Sequence, residues 1–351
     1  MKHKVVAFDV DETLGNFTQF SIFGHVLGEY FNKPDIIYNH FNDLIDLYPE
    51  IIRPNMVRIL DYIRKKKNAG ICSKVMIYTN NMGPDKWVGH IRKYFEYKLR
   101  GFVASTANNG SAGKDDLAII PPLFDHTIGG FKPNGHASAS SSASSSFPQR
   151  TTKHKTVNEF IRCGRLPADI EICFLDDIEH PKMVDERVYY IKLQPYYSYI
   201  PFEVFVIRFL NSALYRDVFD KMTPPTIMPG IQSTAKKQIL SIELHNLFVK
   251  WAGLADYDAK ARQKNVNPRE IDEIISKYIL YHLQRFFREG VIDPEVRSLQ
   301  TMRKRASSSK KNTSAKNPRI VRPSAAGYMV VVDKNSAIKN MRNKTVRKRV
   351  N

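Results

Sequence analysis

The sequence predicts an α/β protein: a doubly wound, Rossmann-like parallel sheet with a small cap insertion, a C-terminal helical appendage and a basic tail. Three observations predict it. Short apolar, β-branched runs recur at 4–8 (KVVAF), 74–78 (KVMIY) and 170–175 (IEICFL), each followed by acidic, hydroxyl or amide residues, which is how buried parallel strands read. Segments with helical apolar spacing lie between them, Met56, Ile59, Leu60 and Ile63 before the second run and Val157, Phe160 and Ile161 before the third, the alternation of a doubly wound sheet. A chain of 351 residues with 42% apolar content, 20 Phe and 17 Tyr can bury a core of that kind, which excludes global disorder.

Residues 1–222 are expected to form the main domain. Within it, 15–50 carries aromatic and aliphatic residues at mixed spacing, enough for two short helices, and is expected to be a small cap or flap. The Ser/Ala-rich stretch within 134–150 (HASASSSASSSF) buries almost nothing and is expected to be a mobile, disordered loop. The apolar stretch 199–215 contains Glu203 and Arg208 and falls short of the roughly 20 residues that cross a bilayer, so it reads as core. Pro224, Pro225, Pro229 and Gly230 then punctuate the chain, and a helical appendage is expected over 230–300. Its clearest part begins at Asn267-Pro268, shows one apolar face from Ile271 to Phe287 at 3.6-residue spacing and stops at Gly290; packing on the main domain or on the Ile239 region is favoured over a partner groove.

Residues 301–351 are expected to be a basic, mostly disordered tail with one short strand at 328–332. The tail holds fifteen Lys or Arg against a single acid, Asp333, a net +14 that leaves only +5 of the chain's +19 for the body. Its clusters, Arg303-Lys304-Arg305, Lys310-Lys311 and Arg347-Lys348-Arg349, suit nuclear import or nucleic acid through the phosphate backbone, and equally a solubilising tail. Three cysteines without C-x-x-C spacing form no disulfide framework and fit a reducing compartment. The N-terminus lacks the long apolar stretch of a signal peptide, so an intracellular location, nucleus or cytoplasm, and no membrane partner are expected. Nothing in the sequence fixes an oligomeric state.

The residues that carry chemistry follow the three strands. After the first, Asp9 and Asp11 stand two apart with Thr13 behind them; residues two apart share a strand face, and paired carboxylates suit a hard cation such as Mg²⁺. After the second come Thr79, Asn80 and Asn81, a hydroxyl and amides where a phosphate oxygen would lie. After the third come Asp176 and Asp177, further metal ligands, whose repulsion a cation offsets. Phosphoryl transfer needs an in-line nucleophile, neutralised equatorial oxygens and a proton for the leaving group. Asp9 is the expected nucleophile, Asp11 the acid and base, Thr79 and Asn80 the phosphate binders, and Asp9, Asp11, Asp176 and Asp177 the metal set. A lysine is needed to balance charge; Lys155 is well placed, with Lys153 as competitor. An acidic to neutral pH optimum follows. Taken singly, each group has an ordinary explanation: an acidic turn, a helix cap, a solvated loop.

With these residues in view, the chain resembles the haloacid dehalogenase superfamily and, within it, the RNA polymerase II C-terminal-domain phosphatases, also called NLI-interacting-factor-like. Asp9-Val10-Asp11-Glu12-Thr13-Leu14 is similar to that group's signature, Arg53-Pro54 with the helix after it to its Arg-Pro segment, Lys155-Thr156-Val157 to its lysine before a helix, and Phe174-Leu175-Asp176-Asp177 to its closing acidic pair. The likeness spans about residues 1–215. It implies Asp9 as nucleophile and metal ligand, Asp11 as acid/base and ligand through its carbonyl, Thr79 and Lys155 on phosphate, and Asp177 closing the metal shell. Asn80-Asn81, Asp177 and the Ser-rich excursion depart from the group's usual residues and bear on the substrate. Large DNA viruses carry similar proteins, and by analogy a basic tail suits a virion or a nucleus. The implied activity is a Mg²⁺-dependent phosphatase acting on a phosphoprotein; the alternatives are a polynucleotide 3′-phosphatase and a non-catalytic basic scaffold on a phosphatase fold.

Overall fold

A computed structural model of the chain describes residues 3–81, 83, 85–107, 121–132, 147–222, 233–291 and 328–335. Its described strands are β1 (Lys4–Phe8), β2 (Lys74–Tyr78), β3 (His126–Ile128), β4 (Glu171–Asp176), β5 (Val188–Leu193) and β6 (Tyr328–Val332). They form one sheet in the order β3-β2-β1-β4-β5-β6, and every adjacent pair is parallel. The molecule is thus mixed α/β with an all-parallel sheet of Rossmann-like order, whose direction of winding reverses between β1 and β4. Ligands of open α/β sheets bind beyond the strands' carboxyl ends at such a reversal.

Strand periodicity assigns the faces. Val6 and Phe8 join the larger apolar cluster on one side of the sheet, whereas Val5 and Ala7 join the smaller cluster on the other. On β4, Cys173 and Leu175 belong with the first set and Ile172 and Phe174 with the second. Continuing the alternation puts Asp9 and Asp176 on the side of the smaller cluster. Over that side lies one eight-residue helix, α6 (Val157–Gly164), preceded by Lys155; the larger side is covered by the remaining long helices.

The other described α-helices, long and short, are α1 (Thr18–Tyr30), α2 (Ile36–Asn39), α3 (Phe41–Asp46), α4 (Met56–Asn68), α5 (Asp85–Ala107), α7 (Phe202–Leu210), α8 (Ser233–Leu254), α9 (Ala259–Asn265) and α10 (Arg269–Glu289). The 15–50 segment, expected as a cap or flap with two short helices, instead has a 13-residue helix at its head and three helical turns behind it. Its Phe20, Phe23, Val26 and Leu27 are fully buried in the main core, so it is a structural layer. The reason is aromatic packing: Phe23 lies against Tyr48, Phe205, Phe209 and Phe248 at ring separations of 4.9 to 5.9 Å.

The C-terminal helices also dock. The α10 face expected from spacing is buried at Ile271, Ile275, Ile279, His282, Leu283, Phe286 and Phe287, and the helix ends at Gly290 with φ +68°. Lys4 Nζ donates to the carbonyls of Phe286 and Phe287 at 2.9 and 3.0 Å, and Tyr189 Oη meets His282 Nδ1 at 2.9 Å. The Ser-rich run at 136–146, the Pro-rich junction at 223–232 and most of the basic tail lie outside the described residues, whereas the expected strand at 328–332 is β6 on the sheet edge. No described helix is long and apolar enough to cross a membrane.

Candidate functional site

The loop after β1 carries the first residues of the site, and its shape is held from below. Asp9 N extends the strand ladder by donating to Leu175 O at 2.9 Å, and the turn closes with Glu12 N on Gly15 O at 2.7 Å. Glu12 takes φ +58°, a left-handed conformation that costs a non-glycine residue roughly 1 kcal/mol. Gly15 is obligatory, because a Cβ there would meet Ile51 O at 2.5 Å. Arg53, 1% exposed, repays the strain: its guanidinium donates to Thr13 O at 2.7 Å, Glu12 O at 2.6 Å and Gln194 O at 2.9 Å. Burial lowers its pKa to about 10, so it remains charged at neutral pH.

Asp9, Asp176 and Asp177 are buried, and each offers a carboxylate oxygen within 4.8 Å of the others. Lys155 stands against them. Its Nζ lies 2.7 Å from Asp9 Oδ1 and 2.7 Å from Asp176 Oδ2. The local sequence explains its position: Thr156 caps α6 by accepting from Glu159 N at 3.0 Å, and Tyr78 Oη accepts from Thr156 N at 3.0 Å, fixing the start of the helix beside β2. The ammonium then sits over the Tyr78 and Phe174 rings, 5.9 and 5.6 Å from their centroids. Lys153 is exposed, and only its carbonyl takes part, accepting from Arg150 at 2.9 Å. Of the two lysines the sequence left open, Lys155 is the one brought to the carboxylates.

Electrostatics set the character of the cluster. Burial opposes the charge of Lys155, yet Asp9 and Asp176 outweigh it and raise its pKa. Burial likewise works against ionised Asp176, but Lys155 and His180, whose Nε2 lies 3.3 Å from Asp176 Oδ2, hold its carboxyl below the ordinary range. Asp9 is pushed up by burial and by Asp176, against the pull of Lys155 and a hydrogen bond from Thr79. Asp177 is pushed up to about 7 by burial and by Asp9 and Asp176; it accepts from Thr13 Oγ1 at 3.2 Å. An all-oxygen donor set, buried and carrying more negative charge than one ammonium offsets, fits a hard divalent cation. The three aspartates can hold a metal ion.

Asp11 is placed differently from the other expected ligands. Its carboxylate is not one of the three that converge; Oδ2 accepts from Asn81 Nδ2 at 2.8 Å. Burial raises its pKa to about 6, the Asn81 bond pulls it down, and Asp9 and Glu12 push it up again. Thr79 is buried and shares its hydroxyl between Asp9 and Asn81 N, the latter at 3.1 Å. Asn80 is exposed, and its Oδ1 accepts from Arg150 at 2.7 Å.

Several contributors escaped the sequence reading. Arg150, 6% exposed, clips the end of β2 to the loop before α6 by donating to Thr79 O at 3.1 Å as well as to Asn80. Its Gln-Arg-Thr setting gives no periodic signal. His180, four residues after Asp176, offered spacing but no strand or helix context. Arg262 of α9 pairs with Glu12 and stacks on Tyr197; nothing local in sequence links it to the site. Comparison of the chain with protein-family models, with curated proteins and with solved structures gave no match to any of them.

Proposed function

We propose that the chain is a Mg²⁺-dependent phosphatase working through an aspartyl-phosphate, with phosphoserine or phosphothreonine in protein as substrate. The observation that carries this reading is the contact of Lys155 with Asp9 and Asp176 at 2.7 Å each, beside Asp177, at the mouth of the β1/β4 reversal. A lysine, a hydroxyl at Thr79 and a nucleophilic carboxylate in one buried place are what phosphoryl transfer requires. Asp9, Asp176 and Asp177 would hold the cation, with Asp11 contributing through its main-chain carbonyl as the family resemblance implies. When bound, a divalent ion neutralises charge on the phosphoryl oxygens and on the aspartates.

The chain's own residues supply the rest. An Asp9 carboxylate oxygen attacks phosphorus while the ester P–O bond breaks, and protonated Asp11 gives its proton to the departing alkoxide. Ionised Asp11 then takes a proton from water as the water oxygen attacks phosphorus. The Asp9–phosphorus bond breaks, and phosphate leaves with Asp9 restored. A pKa near 6 lets Asp11 serve as acid and base in turn. Lys155 and Thr79 orient the phosphoryl group and favour the ionised form of Asp9 against the opposing effect of burial. The protein-substrate assignment rests on the family resemblance and on the absence, among the described residues, of a separate cap domain.

The test is release of phosphate from phosphoserine peptides with Mg²⁺, by wild type and by Asp9→Asn protein of equal thermal stability. Turnover of small sugar phosphates without turnover of peptides rejects the substrate class. The net +14 of the tail favours, as second reading, a polynucleotide 3′-phosphatase, for which cleavage of a 3′-phosphorylated oligonucleotide should weaken when the tail is deleted and fall steeply with salt. Indistinguishable wild-type and Asp9→Asn proteins in every phosphatase assay would make the chain a basic nucleic-acid- or partner-binding scaffold.

A further inference from the structure

Beyond Asp11, on the side away from Lys155, a cavity of about 560 Å³ opens between α1, α5 and α8. That is the size range of pockets that hold drug-sized ligands. Its inner end is polar, formed by the Asp11 and Asn81 side chains, which are joined at 2.8 Å. Its walls are rings: Phe17, His25, Tyr38, Trp87 and Trp251 all line it. Leu254, 68% exposed, stands at the rim.

The rings are fixed before any ligand arrives. His25 and Trp251 stack with centroids 4.7 Å apart and planes 17° apart, and the indole Nε1 of Trp251 donates to Glu29 Oε2 at 2.7 Å. Trp87 is wedged by Phe41 at 5.6 Å and Phe20 at 6.0 Å. Preorganised aromatic faces bind a flat apolar ring at little conformational cost.

The charge pattern narrows the occupant. Among the described residues no Lys or Arg lines the cavity. Two ammoniums stand over lining rings, Lys86 over Tyr38 at 4.4 Å and Lys250 over Trp251 at 5.8 Å, and each is already paired, with Asp35 and with Glu29. Burial lowers the pKa of His25, which keeps that ring neutral at pH 7. An additional phosphate, as in a nucleotide or a polynucleotide end, would find no cation in the lining, only neighbours already paired with carboxylates, and would face the Asp11 carboxylate. A neutral ring would lose nothing.

We infer that this cavity seats the leaving group, and that the leaving group is a neutral alcohol carrying a flat, apolar ring next to the phosphorylated oxygen. This rests on the phosphatase reading, because Asp11 is the residue that protonates the departing oxygen, and the cavity is what lies on its far side. Trp251 and Leu254 come from α8, so the C-terminal helices supply substrate selectivity to a centre whose reactive carboxylates all come from the first 177 residues.

The experiment compares 2-phenylethyl phosphate with ethyl phosphate, esters of alcohols of similar basicity, so that chemistry is matched and only the ring differs. Wild type should prefer the ring-bearing ester by about tenfold or more in kcat/KM, and Trp251→Ala should bring the ratio toward one. A second reading needs no turnover. The chain has two tryptophans and both line the cavity, so 2-phenylethanol should change the intrinsic emission saturably.

Ring preference that extends to phosphoserine peptides with an adjacent Phe over those with Ala marks the cavity as a side-chain subsite. Preference confined to the small esters marks it as a seat for a small alcohol. Equal kcat/KM for the two esters with Asp9-dependent turnover intact, or emission that 2-phenylethanol leaves unchanged, overturns the assignment while the phosphatase reading stands. Absence of Asp9-dependent turnover of any ester overturns both.

Discussion

Replacing Asp177 by Asn should stabilise the metal-free protein at alkaline pH and abolish its response to Mg²⁺. The folded environment lifts the Asp177 carboxyl from an ordinary 3.8 to about 7, which corresponds to about 4 kcal/mol between its two protonation states. In the window from 3.8 to about 7 the folded chain holds a proton that the unfolded chain has released, so stability falls as pH rises and the loss is complete above the folded value. Asp9 and Asp11, also raised, act in the same direction, whereas Asp176, lowered by Lys155 and His180, acts in the opposite one. The difference between wild type and Asp177→Asn isolates the one residue. With a chelator, the variant should be the more stable at about pH 8, by up to about 4 kcal/mol or roughly 5 to 10 °C in Tm, with the gap more than halved by about pH 5. On the proposed reading Mg²⁺ would bind the ionised carboxylates, so saturating metal should raise the wild-type Tm at pH 8 by several degrees and leave the variant nearly unmoved. Thermal unfolding followed by circular dichroism reads both effects. A variant no more stable than wild type at pH 8 in chelator, or an equal Mg²⁺ shift in the two proteins, would refute the reasoning.

Lys155→Met should cost about 3–5 kcal/mol in urea unfolding, because it leaves Asp9 and Asp176 buried without their shared cation; a loss under 1 kcal/mol would show the pair to be solvated. Asp11→Asn should lower kcat on alkyl phosphates by about a hundredfold to ten-thousandfold and remove the alkaline fall in rate that begins near pH 6. It should act far less on p-nitrophenyl phosphate, whose leaving group needs no proton, and equal losses on both esters would contradict the acid role. Phe286→Ala on α10 should destabilise the whole chain by about 3–5 kcal/mol in a single unfolding transition, whereas a separate early transition for the C-terminal helices would mean that they fold apart.

What the sequence made legible was periodic. The runs at 4–8 and 74–78 coincide with β1 and β2, and the third is displaced by one residue, because a buried parallel strand writes a continuous apolar run with an abrupt polar end. The α10 face was equally plain at Ile271, Ile275 and Ile279. What stayed hidden depends on contacts far apart in the chain. The strand at Val188–Leu193 carries Lys192 among two tyrosines, and only its pairing with β4 reveals it. The 15–50 segment looked loose because its aromatic partners, Phe205, Phe209 and Phe248, arrive some 150 residues or more later. Arg150 likewise acts through carbonyls that no local pattern announces.

The C-terminal helices are the least separable part of the architecture, and their placement changes how the site is understood. Strand alternation alone delivers Asp9 and Asp176 to the α6 side, and Lys155 follows from the Thr156 cap, so the charged centre is a property of the sheet and its first crossovers. The turn that holds Asp11 is another matter. Its backbone is gripped by Arg53, which also binds Gln194 O, and Gln194 Nε2 in turn reaches Asn267 Oδ1 at 3.3 Å, just ahead of α10. Glu12, at the strained position of the same turn, is paired with Arg262 of α9. Two independent links therefore run from the C-terminal helices to the residues flanking Asp11, while a third, through Trp251, walls the cavity beyond it. A carboxylate that must hold and release a proton needs a fixed, poorly solvated setting. In this chain the sheet positions Asp9, the proposed nucleophile, and the later helices shape the surroundings of Asp11, the proposed acid.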